Sequence, residues 1–508
     1  MLTFDEAREF INNASKRGSV LGLESIENLM EELSALVLGA SCQESVQAPL
    51  RRENCQESAL VQQQEQNCRG CQEGALVPLQ DQLPVIHIAG TNGKGSVGAY
   101  LASIFREAGF HVARYTSPAV FDPLEVWQYD GENISQDEYA QIMSQVKSAC
   151  DILVSKGKPC PTVFEIETAA AFLYFYLRKP DVALVEVGMG GLTDATNVIR
   201  SPLASVITTI SFDHMQFLGN SIEEIAEVKA GIIKQGCPAY SAEQLPEVKA
   251  VLLRKIKENK TTIKFVENNK LELLEQKPGN LEFTYRWEAG LDQPQDVAGA
   301  GDVAGAGDVA GAGDVAGAGD VAGDKLLLRT KMAGSYQMKN AALAVECAVS
   351  LLPKLLPGLL PEVSRTYITE GIAKATWQGR FEVVARDPYV ILDGAHNEDA
   401  AWQLAKTLQN CFTNKRITYI IGVLADKEHE KMLRIMLPMA ERIYTVTPDN
   451  PRAMKGEDLA EEARKIDPEK QIISCANCKE ALKLAREDAD VVLAFGSLSY
   501  LAEMKRSL

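Results

Sequence analysis

The sequence lacks an excess of basic residues, a long apolar run and a basic leader. Among 508 residues, 52 Lys and Arg stand against 69 Asp and Glu, a net charge of −17. Such an acidic surface does not offer the basic stripe that nucleic acid needs, so no nucleic-acid partner is expected. Apolar runs such as Val182–Val187 are far shorter than the ~20 residues of a membrane span. Met1–Lys16 lacks the basic start and apolar core of a signal peptide, so we expect a cytoplasmic protein with no membrane partner.

The cysteines do not form a pattern that predicts disulfides. They number 11, and cytosolic thiols are reduced by default. Two CxxC pairs, Cys68/Cys71 and Cys475/Cys478, would together supply the four thiolates of a zinc site. The pairs lie far apart in the chain, however, and the first is in a low-complexity segment. Free thiols are therefore the favoured interpretation.

Two segments have the composition of insertions. The first covers about residues 41–83, repeats a Cys-Gln-Glu unit, and shows neither helix nor strand periodicity. The second, residues 296–324, repeats Asp-Val-Ala-Gly-Ala-Gly. Short Gly/Asp repeats can bind calcium, but the calcium-binding nonapeptide is absent and no bulky residue is available to form a core. We expect a mobile surface loop and a flexible hairpin tip.

Elsewhere the hydrophobic pattern alternates between strands and helices, which is typical of a doubly wound parallel sheet. The predicted strands of the first series are Pro84–Ala89, Val112–Tyr115, Val182–Val187 and Ala204–Ile210, and its helices are about Gly95–Ala108, Phe164–Arg178, Ile222–Ile233 and Gln337–Leu352. A smaller, Rossmann-like series follows, with strands Tyr389–Leu392, Ile417–Val423, Arg442–Val446 and Val491–Ala494. The pattern thus predicts two α/β domains, residues 1–379 and 380–508, able to close over two substrates.

A Gly-rich loop between the first strand and the first helix carries the strongest chemical signal. Its residues are Gly90, Thr91, Asn92, Gly93, Lys94, Gly95 and Ser96. Glycines let the backbone approach phosphate oxygens, the helix N-terminus supplies N–H groups, and Lys94 supplies a full charge. Only two residues separate Gly90 from Gly93-Lys94, so the usual Walker spacing is not met. The loop predicts ATP binding of an uncommon type.

The same loop resembles that of the folylpolyglutamate synthase and dihydrofolate synthase family, part of the wider Mur-ligase group of amide-forming enzymes. Further stretches agree with that family: Tyr115-Thr116-Ser117-Pro118, Glu186-Val187-Gly188-Met189-Gly190-Gly191, Asp194-Ala195-Thr196-Asn197, Asp213-His214, Lys229-Ala230-Gly231-Ile232, Gly379-Arg380 and Asp393-Gly394-Ala395-His396-Asn397. The resemblance spans nearly the whole chain outside the two insertions. It implies a P-loop-containing, Mur-ligase-like central domain and a C-terminal glutamate-ligase domain.

The resemblance also implies roles for individual residues. Magnesium, one ion or two, would be held by Ser117, Glu165 and His214, and Lys229 would be catalytic, with a carbamate that helps to hold metal. Residues around the nucleotide or the transferred phosphate would be Asn340, Arg380, Asp393 and His396. Without the resemblance, the residues also allow purely structural roles. Glu165 could stabilise a helix N-terminus, and Lys229 could be a surface lysine whose stem packs on apolar neighbours. Gln337 and Asn340 share a helical face, from which an amide can read an adenine edge.

These parts suit an ATP-dependent acid–amino-acid ligase. Transfer of the γ-phosphoryl group activates a carboxylate as an acyl phosphate, which the amine of L-glutamate attacks to release ADP and phosphate. The resemblance implies that the carboxylate belongs to a folate and that the enzyme is a monomer. Open alternatives are a dihydrofolate synthase acting on dihydropteroate, another Mur-type ligase, and a catalytically dead ATP-binding interaction protein. Departures from the family pattern at Ala119, Leu192 and Ser499 leave the pteridine and glutamate neighbourhood undecided.

Overall fold

The structure is a computed structural model that describes residues 1–15, 22–43, 77–287, 324–427 and 429–508. Except for Cys42 and Gln43, the Cys-Gln-Glu repeats lie outside these ranges, as do all but the last residue of the hexapeptide repeat. Regular structure overlaps both ends of the segment at about residues 41–83. A helix continues to Gln43, and Leu79–Gln82 form a 3-10 turn whose Leu79 is fully buried. Apolar side chains at 79 and 83 pack into the core, so the chain is already anchored there.

Within the described residues, 15 α-helices and 17 strands follow each other along the chain. The helices are α1 Phe4–Ser15, α2 Glu24–Gln43, α3 Lys94–Glu107, α4 Gln136–Ser155, α5 Val163–Arg178, α6 Met215–Leu218, α7 Ile222–Lys229, α8 Pro246–Glu258, α9 Gln337–Leu355, α10 Pro361–Lys374, α11 Glu398–Cys411, α12 His429–Met436, α13 Gly456–Ile466, α14 Cys478–Asp488 and α15 Leu501–Arg506.

The first domain is built on an eight-stranded sheet. Its strands are β1 Val85–Ala89, β2 Val112–Tyr115, β3 Trp127–Tyr129, β4 Glu132–Asn133, β5 Val182–Glu186, β6 Ala204–Ile207, β7 Ala239–Ser241 and β8 Ile263–Phe265. Their order is β4-β3-β2-β5-β1-β6-β7-β8. Strands β2, β5, β1, β6, β7 and β8 run parallel, and β3 and β4 are antiparallel additions at one edge.

Helices cover both faces of this sheet, because successive side chains of the buried central strands point to opposite sides. On one face, Val85 and Val185 pack with side chains of α1, α2, α4 and α5. On the other, Ile86 and Ile88 pack with α3, α9 and α10. The doubly wound fold expected from the sequence is confirmed.

The first domain also contains a small antiparallel sheet, which the pattern did not predict. Its strands are β9 Leu271–Lys277, β10 Asn280–Trp287 and β11 Asp324–Thr330, in the order β11-β10-β9. Trp287 pairs with Asp324, so the hexapeptide repeat connects the two strands of a hairpin. The predicted flexible tip itself lies outside the described residues, apart from Asp324.

The second domain contains a six-stranded sheet in the order β12-β13-β17-β14-β15-β16. Its strands are β12 Glu382–Arg386, β13 Tyr389–Leu392, β14 Ile417–Ile421, β15 Arg442–Thr445, β16 Gln471–Ser474 and β17 Val491–Phe495. All are parallel except β12, which pairs antiparallel with β13. Helices α11 to α13 cover one face, and α14 and α15 cover the other. The carboxyl ends of parallel strands are where open α/β sheets bind ligands.

Candidate active site

Residues of both domains line one cavity, which lies at the carboxyl ends of β1, β5 and β6. From the first domain it is lined by the Gly-rich loop, by the segment after β5 and by the segment after β6. From the second it is lined by the segments that precede β12 and follow β13. Of the site residues named from the sequence, those that line the cavity are Gly90, Thr91, Asn92, Gly93, Lys94, Gly95, Ser96, Ser117, His214, Lys229, Asn340, Arg380, Asp393 and His396. Glu165 is not among them.

The Gly-rich loop has a backbone that only glycine adopts readily. Gly90 and Gly93 have φ angles of 145° and 98°, and a side chain at Gly93 would approach Asn340 Oδ1 to 2.5 Å. Helix α3 begins directly afterwards at Lys94, so its first N–H groups point toward the cavity. Lys94 Nζ donates to the carbonyl oxygens of Gly90 and Thr91, at 3.2 and 3.4 Å. The loop presents an ammonium group and a helix N-terminus together.

The polar side chains of the loop anchor it to three other parts of the protein. Thr91 Oγ1 donates to the carbonyl of Ser211 at 2.9 Å. Asn92 Nδ2 donates to Asp399 Oδ2 in the second domain at 2.8 Å. Ser96 Oγ accepts from Gln337 Nε2 at 3.1 Å. Gln337 is fully buried and supports the loop from behind, so the interpretation that it reads an adenine edge was wrong.

The two carboxylates considered for metal binding have different surroundings. Glu165 forms a capping box at the start of α5, where its Oε2 accepts from the backbone N–H and the hydroxyl of Thr162, at 2.7 and 2.8 Å. Glu186 ends β5, is buried, and lines the cavity. Burial raises the pKa of Glu186, while Lys94, Arg114 and Arg380 act to lower it. The carboxylate beside the phosphate loop is therefore Glu186, which the sequence analysis did not select.

A hydroxyl without a partner shares this part of the cavity. Ser117 Oγ is buried and has no hydrogen-bond partner among the described residues. Leaving a buried hydroxyl unpaired costs about 1–3 kcal/mol, so such an atom suggests a ligand position. Ser117 and Glu186 both line the cavity, beside the Gly-rich loop. Together they offer the oxygen ligands that magnesium prefers.

Lys229 is a buried lysine, so its interpretation as a surface side chain was wrong. Only 4% of the residue is exposed, and Nζ donates to the carbonyl of Gly90 at 3.0 Å. Burial and the nearby charge of Lys94 lower its pKa to about 7, against the opposing effect of Asp213 and Asp194. A substantial fraction of the amine is therefore neutral at physiological pH and able to act as a nucleophile.

A charged cluster at the other end of the cavity joins the two domains. Asp213 Oδ1 accepts from Lys427 Nζ at 2.8 Å, and Asp213 Oδ2 lies 3.8 Å from His396 Nε2. Although burial alone would raise the pKa of Asp213, His396, Lys427 and His214 hold it well below its usual range. Burial also lowers the pKa of His214 to about 4. Sequence reasoning missed Lys427, whose only signal was its position shortly after a buried strand.

The remaining second-domain residues surround the carboxylate of Asp393. Its oxygens accept from the backbone N–H groups of Phe381 and Ala395, both at 2.8 Å, and from the Tyr336 hydroxyl at 3.2 Å. Burial raises the pKa of Asp393, with Arg380 opposing the shift. Arg380 lines the cavity, with Nη1 donating to the carbonyl of Gly379 at 3.1 Å. His396 Nδ1 lies 2.8 Å from the carbonyl of Gly394, which leaves Nε2 toward Asp213.

The second cysteine pair lies in the hydrophobic core of the second domain. Cys475 and Cys478 pack in the apolar cluster between the sheet and α14, and burial raises the pKa of both thiols. Cys68 and Cys71 lie outside the described residues. Among the helices in the described parts of the chain, none is long and apolar enough to cross a membrane.

The cavity thus carries cations from both domains, Lys94 and Arg380, facing a position flanked by a buried carboxylate and an unpaired hydroxyl. That arrangement suits a polyphosphate whose terminal group is transferred. Comparison with known families agrees with this chemistry. The model of the Mur ligase middle domain matches residues 88–348, and the model of the Mur ligase glutamate ligase domain matches residues 379–498.

Individual relatives are similar over most of the chain. The dihydrofolate synthase/folylpolyglutamate synthase of Bacillus subtilis is 32% identical over 431 residues, which cover 84% of this chain and 91% of that protein. The folylpolyglutamate synthase of Lacticaseibacillus casei is 31% identical over 383 residues, 75% of this chain and 80% of that protein. The crystal structure of Mycobacterium tuberculosis folylpolyglutamate synthase complexed with ADP and AMPPCP superposes with a TM-score of 0.70 at 26% identity, covering 94% of this chain and 99% of that one.

Proposed function

Because the chain belongs to the folylpolyglutamate and dihydrofolate synthase family of Mur ligases, we propose that it joins L-glutamate to the terminal glutamate carboxylate of a tetrahydrofolate. The chain is an ATP-dependent ligase. The observation that carries the proposed chemistry is that Lys94 of the first domain and Arg380 of the second line the same cavity. Opposed cations of this kind stabilise a phosphoryl group in transfer.

We propose that Ser117 and Glu186, rather than Glu165, hold a magnesium ion. The orphaned hydroxyl of Ser117 and the buried carboxylate of Glu186 fit a hard cation, whereas the capping box occupies Glu165. Bound magnesium supplies charge neutralisation for the phosphate oxygens of ATP. Asn340 lines the cavity and is our candidate for a nucleotide contact, and Asp393 is the candidate for the ribose.

The reaction then follows from the chain's own groups. Lys94 and the N-terminus of α3 hold the β and γ phosphates, and Arg380 binds the γ-phosphoryl group from the opposite side. A folate carboxylate oxygen attacks phosphorus, forming an acyl phosphate and releasing ADP. The amine of glutamate attacks the acyl carbon, loses a proton and displaces phosphate to leave an amide. His396, with Nε2 toward the partly buried Asp213, is the candidate for receiving that proton.

A second magnesium near His214 requires a further anion. His214 is surrounded by Asp213, Lys427, His396 and Lys229. While Lys229 is an ammonium, it and Lys427 outnumber the one carboxylate, so the group is cationic and unsuited to a metal ion. The lowered pKa of Lys229 suits carbamylation, in which the neutral amine adds to carbon dioxide and releases one proton. The product is a carbamate anion, which would turn these residues into a metal site. We therefore propose the second magnesium only together with the carbamate of Lys229.

We expect a cytoplasmic monomer with folate and L-glutamate as substrates and no nucleic-acid partner. We place the domain boundary at residues 379–380, between α10 and β12, where one sheet system ends and the next begins. A dihydrofolate synthase is the second candidate, because the Bacillus subtilis relative carries both names.

One assay separates these functions. ADP release and product mass are measured with tetrahydrofolate plus glutamate, with dihydropteroate plus glutamate, and with glutamate alone. The proposal predicts ATP-dependent glutamate addition in the first mixture, and addition in the second identifies a bifunctional enzyme. Turnover without either acceptor would point to another amino-acid ligase. The Lys94→Ala variant should abolish turnover while leaving the unfolding temperature near that of the wild type.

A further inference from the structure

A buried arginine lies behind the phosphate-binding loop and outside the cavity. Arg114 belongs to β2, is only 6% exposed, and does not line the cavity. Its Nη2 donates to the carbonyl oxygen of Gly95, the second residue of α3. A side chain at Gly98, one turn further along α3, would approach the guanidinium to 3.3 Å. The arginine therefore packs closely under the first turn of the helix that presents Lys94.

The same arginine stacks on the segment that joins the two domains. The guanidinium carbon lies 3.9 Å from the ring centre of Trp377. Trp377 also contacts the loop directly, since a side chain at Gly95 would come within 2.7 Å of the indole Nε1. Arg380 follows three residues later in the sequence. One stacked pair thus touches both the helix that carries Lys94 and the linker that carries Arg380.

The contacts of Arg114 are unusual for a side chain that serves packing alone. Burying a guanidinium is costly unless charge and hydrogen bonds compensate for it. Glu186 and Glu125 provide the nearby negative charge, and Nε has no partner among the described residues. An apolar residue of similar volume would fill this space without that cost. The guanidinium offers what an apolar residue cannot: a charge-assisted bond to the Gly95 carbonyl and a cation–π contact with Trp377.

We propose that Arg114 and Trp377 are positioning residues of the ATP site, forming a clamp that holds the phosphate-binding loop against the interdomain linker so that Lys94 and Arg380 meet the same phosphate. Neither residue lines the cavity. The clamp acts through the start of α3 on one side and through the start of the second domain on the other. The proposal rests on the proposed function only in that the phosphate belongs to ATP.

The test measures nucleotide affinity separately from catalysis. The Arg114→Met and Trp377→Phe variants are titrated with AMPPCP and magnesium by calorimetry, and the KM values for ATP and glutamate are measured alongside. Loss of a charge-assisted hydrogen bond corresponds to a roughly tenfold to hundredfold weaker binding of AMPPCP. We expect that loss for Arg114→Met, a smaller one for Trp377→Phe, and a KM for ATP that rises more than the KM for glutamate. Arg114→Lys, which keeps the charge, should restore part of the affinity.

The matched control is a second arginine–tryptophan pair. Arg365 lies 5.8 Å above the ring of Trp287, and neither residue lines the cavity. Arg365→Met should leave AMPPCP affinity unchanged. Affinity within twofold of the wild type in both Arg114→Met and Trp377→Phe would overturn the clamp, even if both variants melt earlier. Should Arg114→Met fail to fold, Trp377→Phe decides alone. AMPPCP binding does not depend on the acceptor, so a failed folate assay would leave this test intact.

Discussion

His87 offers the sharpest prediction about how the loop is supported. It is fully buried in β1, the strand that leads into the Gly-rich loop, and its Nε2 lies 2.8 Å from Thr196 Oγ1. That hydroxyl in turn donates to Asp194 Oδ1 at 2.6 Å. Burial lowers the pKa of His87 from 6.5 to about 3, so the ring is neutral in the folded protein throughout the physiological range.

The pH dependence follows from that difference. Between pH 6.5 and 3 the unfolded chain binds a proton at His87 that the folded chain does not, so stability falls as the pH falls. With these two pKa values, linkage gives a loss of about 2 kcal/mol at pH 5 relative to pH 8. The loss approaches about 5 kcal/mol below pH 3, where both states are protonated. Carboxylates with raised pKa values, such as Glu186 and Asp393, act in the opposite direction, so the comparison needs a matched variant.

The matched variant is His87→Gln, which keeps a donor for Thr196 and does not titrate. Urea unfolding midpoints of both proteins are measured from pH 8 to pH 4, and the difference between the two curves isolates His87. The wild type should lose more stability than the variant by about 2 kcal/mol at pH 5. The protein has five histidines, so NMR of histidine-labelled protein identifies the His87 ring as the signal lost in the variant. Parallel stability curves, or a His87 ring that titrates near pH 6.5, would refute the reasoning.

Three further predictions concern the cavity. Glu186→Gln should lower turnover at least about a hundredfold through lost electrostatic stabilisation. Glu165→Gln should instead lower the unfolding temperature and leave turnover within a few-fold. The reverse result would identify Glu165 as the magnesium ligand. Lys229→Ala should lose turnover and recover part of it with added acetate, and wild-type activity without acetate would exclude a carbamate. Lys427→Met should lower the free energy of unfolding in urea by on the order of 3 kcal/mol, because Asp213 loses its ion-pair partner. Adding Asp213→Asn to that variant should recover stability, and no recovery would contradict the ion pair.

Much of the fold could be predicted because buried parallel strands are short apolar runs. Val112–Tyr115 and Tyr389–Leu392 have the predicted limits. Strand β6 ends at Ile207, earlier than predicted, and Thr209 pairs with Asn92 of the Gly-rich loop. Strand β9 was missed because it is mostly exposed and lacks a clear alternation, whereas β10 does alternate, with buried Leu281, Phe283 and Tyr285. The hydrophobic pattern of a sequence indicates which residues are buried, so a partly exposed strand is hard to recognise from it.

The candidate active site, like the fold, could be predicted only in part. Residues of one contiguous loop, such as Lys94, could be identified from the sequence, because the loop itself creates the phosphate site. Glu165 and Glu186 could not be told apart, because both are carboxylates near an element end. Only the strand order shows that Glu186 leaves the sheet beside the loop, whereas Glu165 caps its own helix. Lys427 enters from the second domain, and its pairing with Asp213 depends on how the domains meet.

The central claim is that a folate carboxylate is activated by phosphoryl transfer before glutamate attacks it. The direct measurement uses a tetrahydrofolate labelled with ¹⁸O in its terminal carboxylate, together with ATP, magnesium and L-glutamate. Mass spectrometry then follows both products. The account predicts a folate extended by one glutamate and inorganic phosphate that carries one ¹⁸O atom from the carboxylate. Extended folate with unlabelled phosphate would contradict the acyl-phosphate route, and absence of extended folate would contradict the assignment itself.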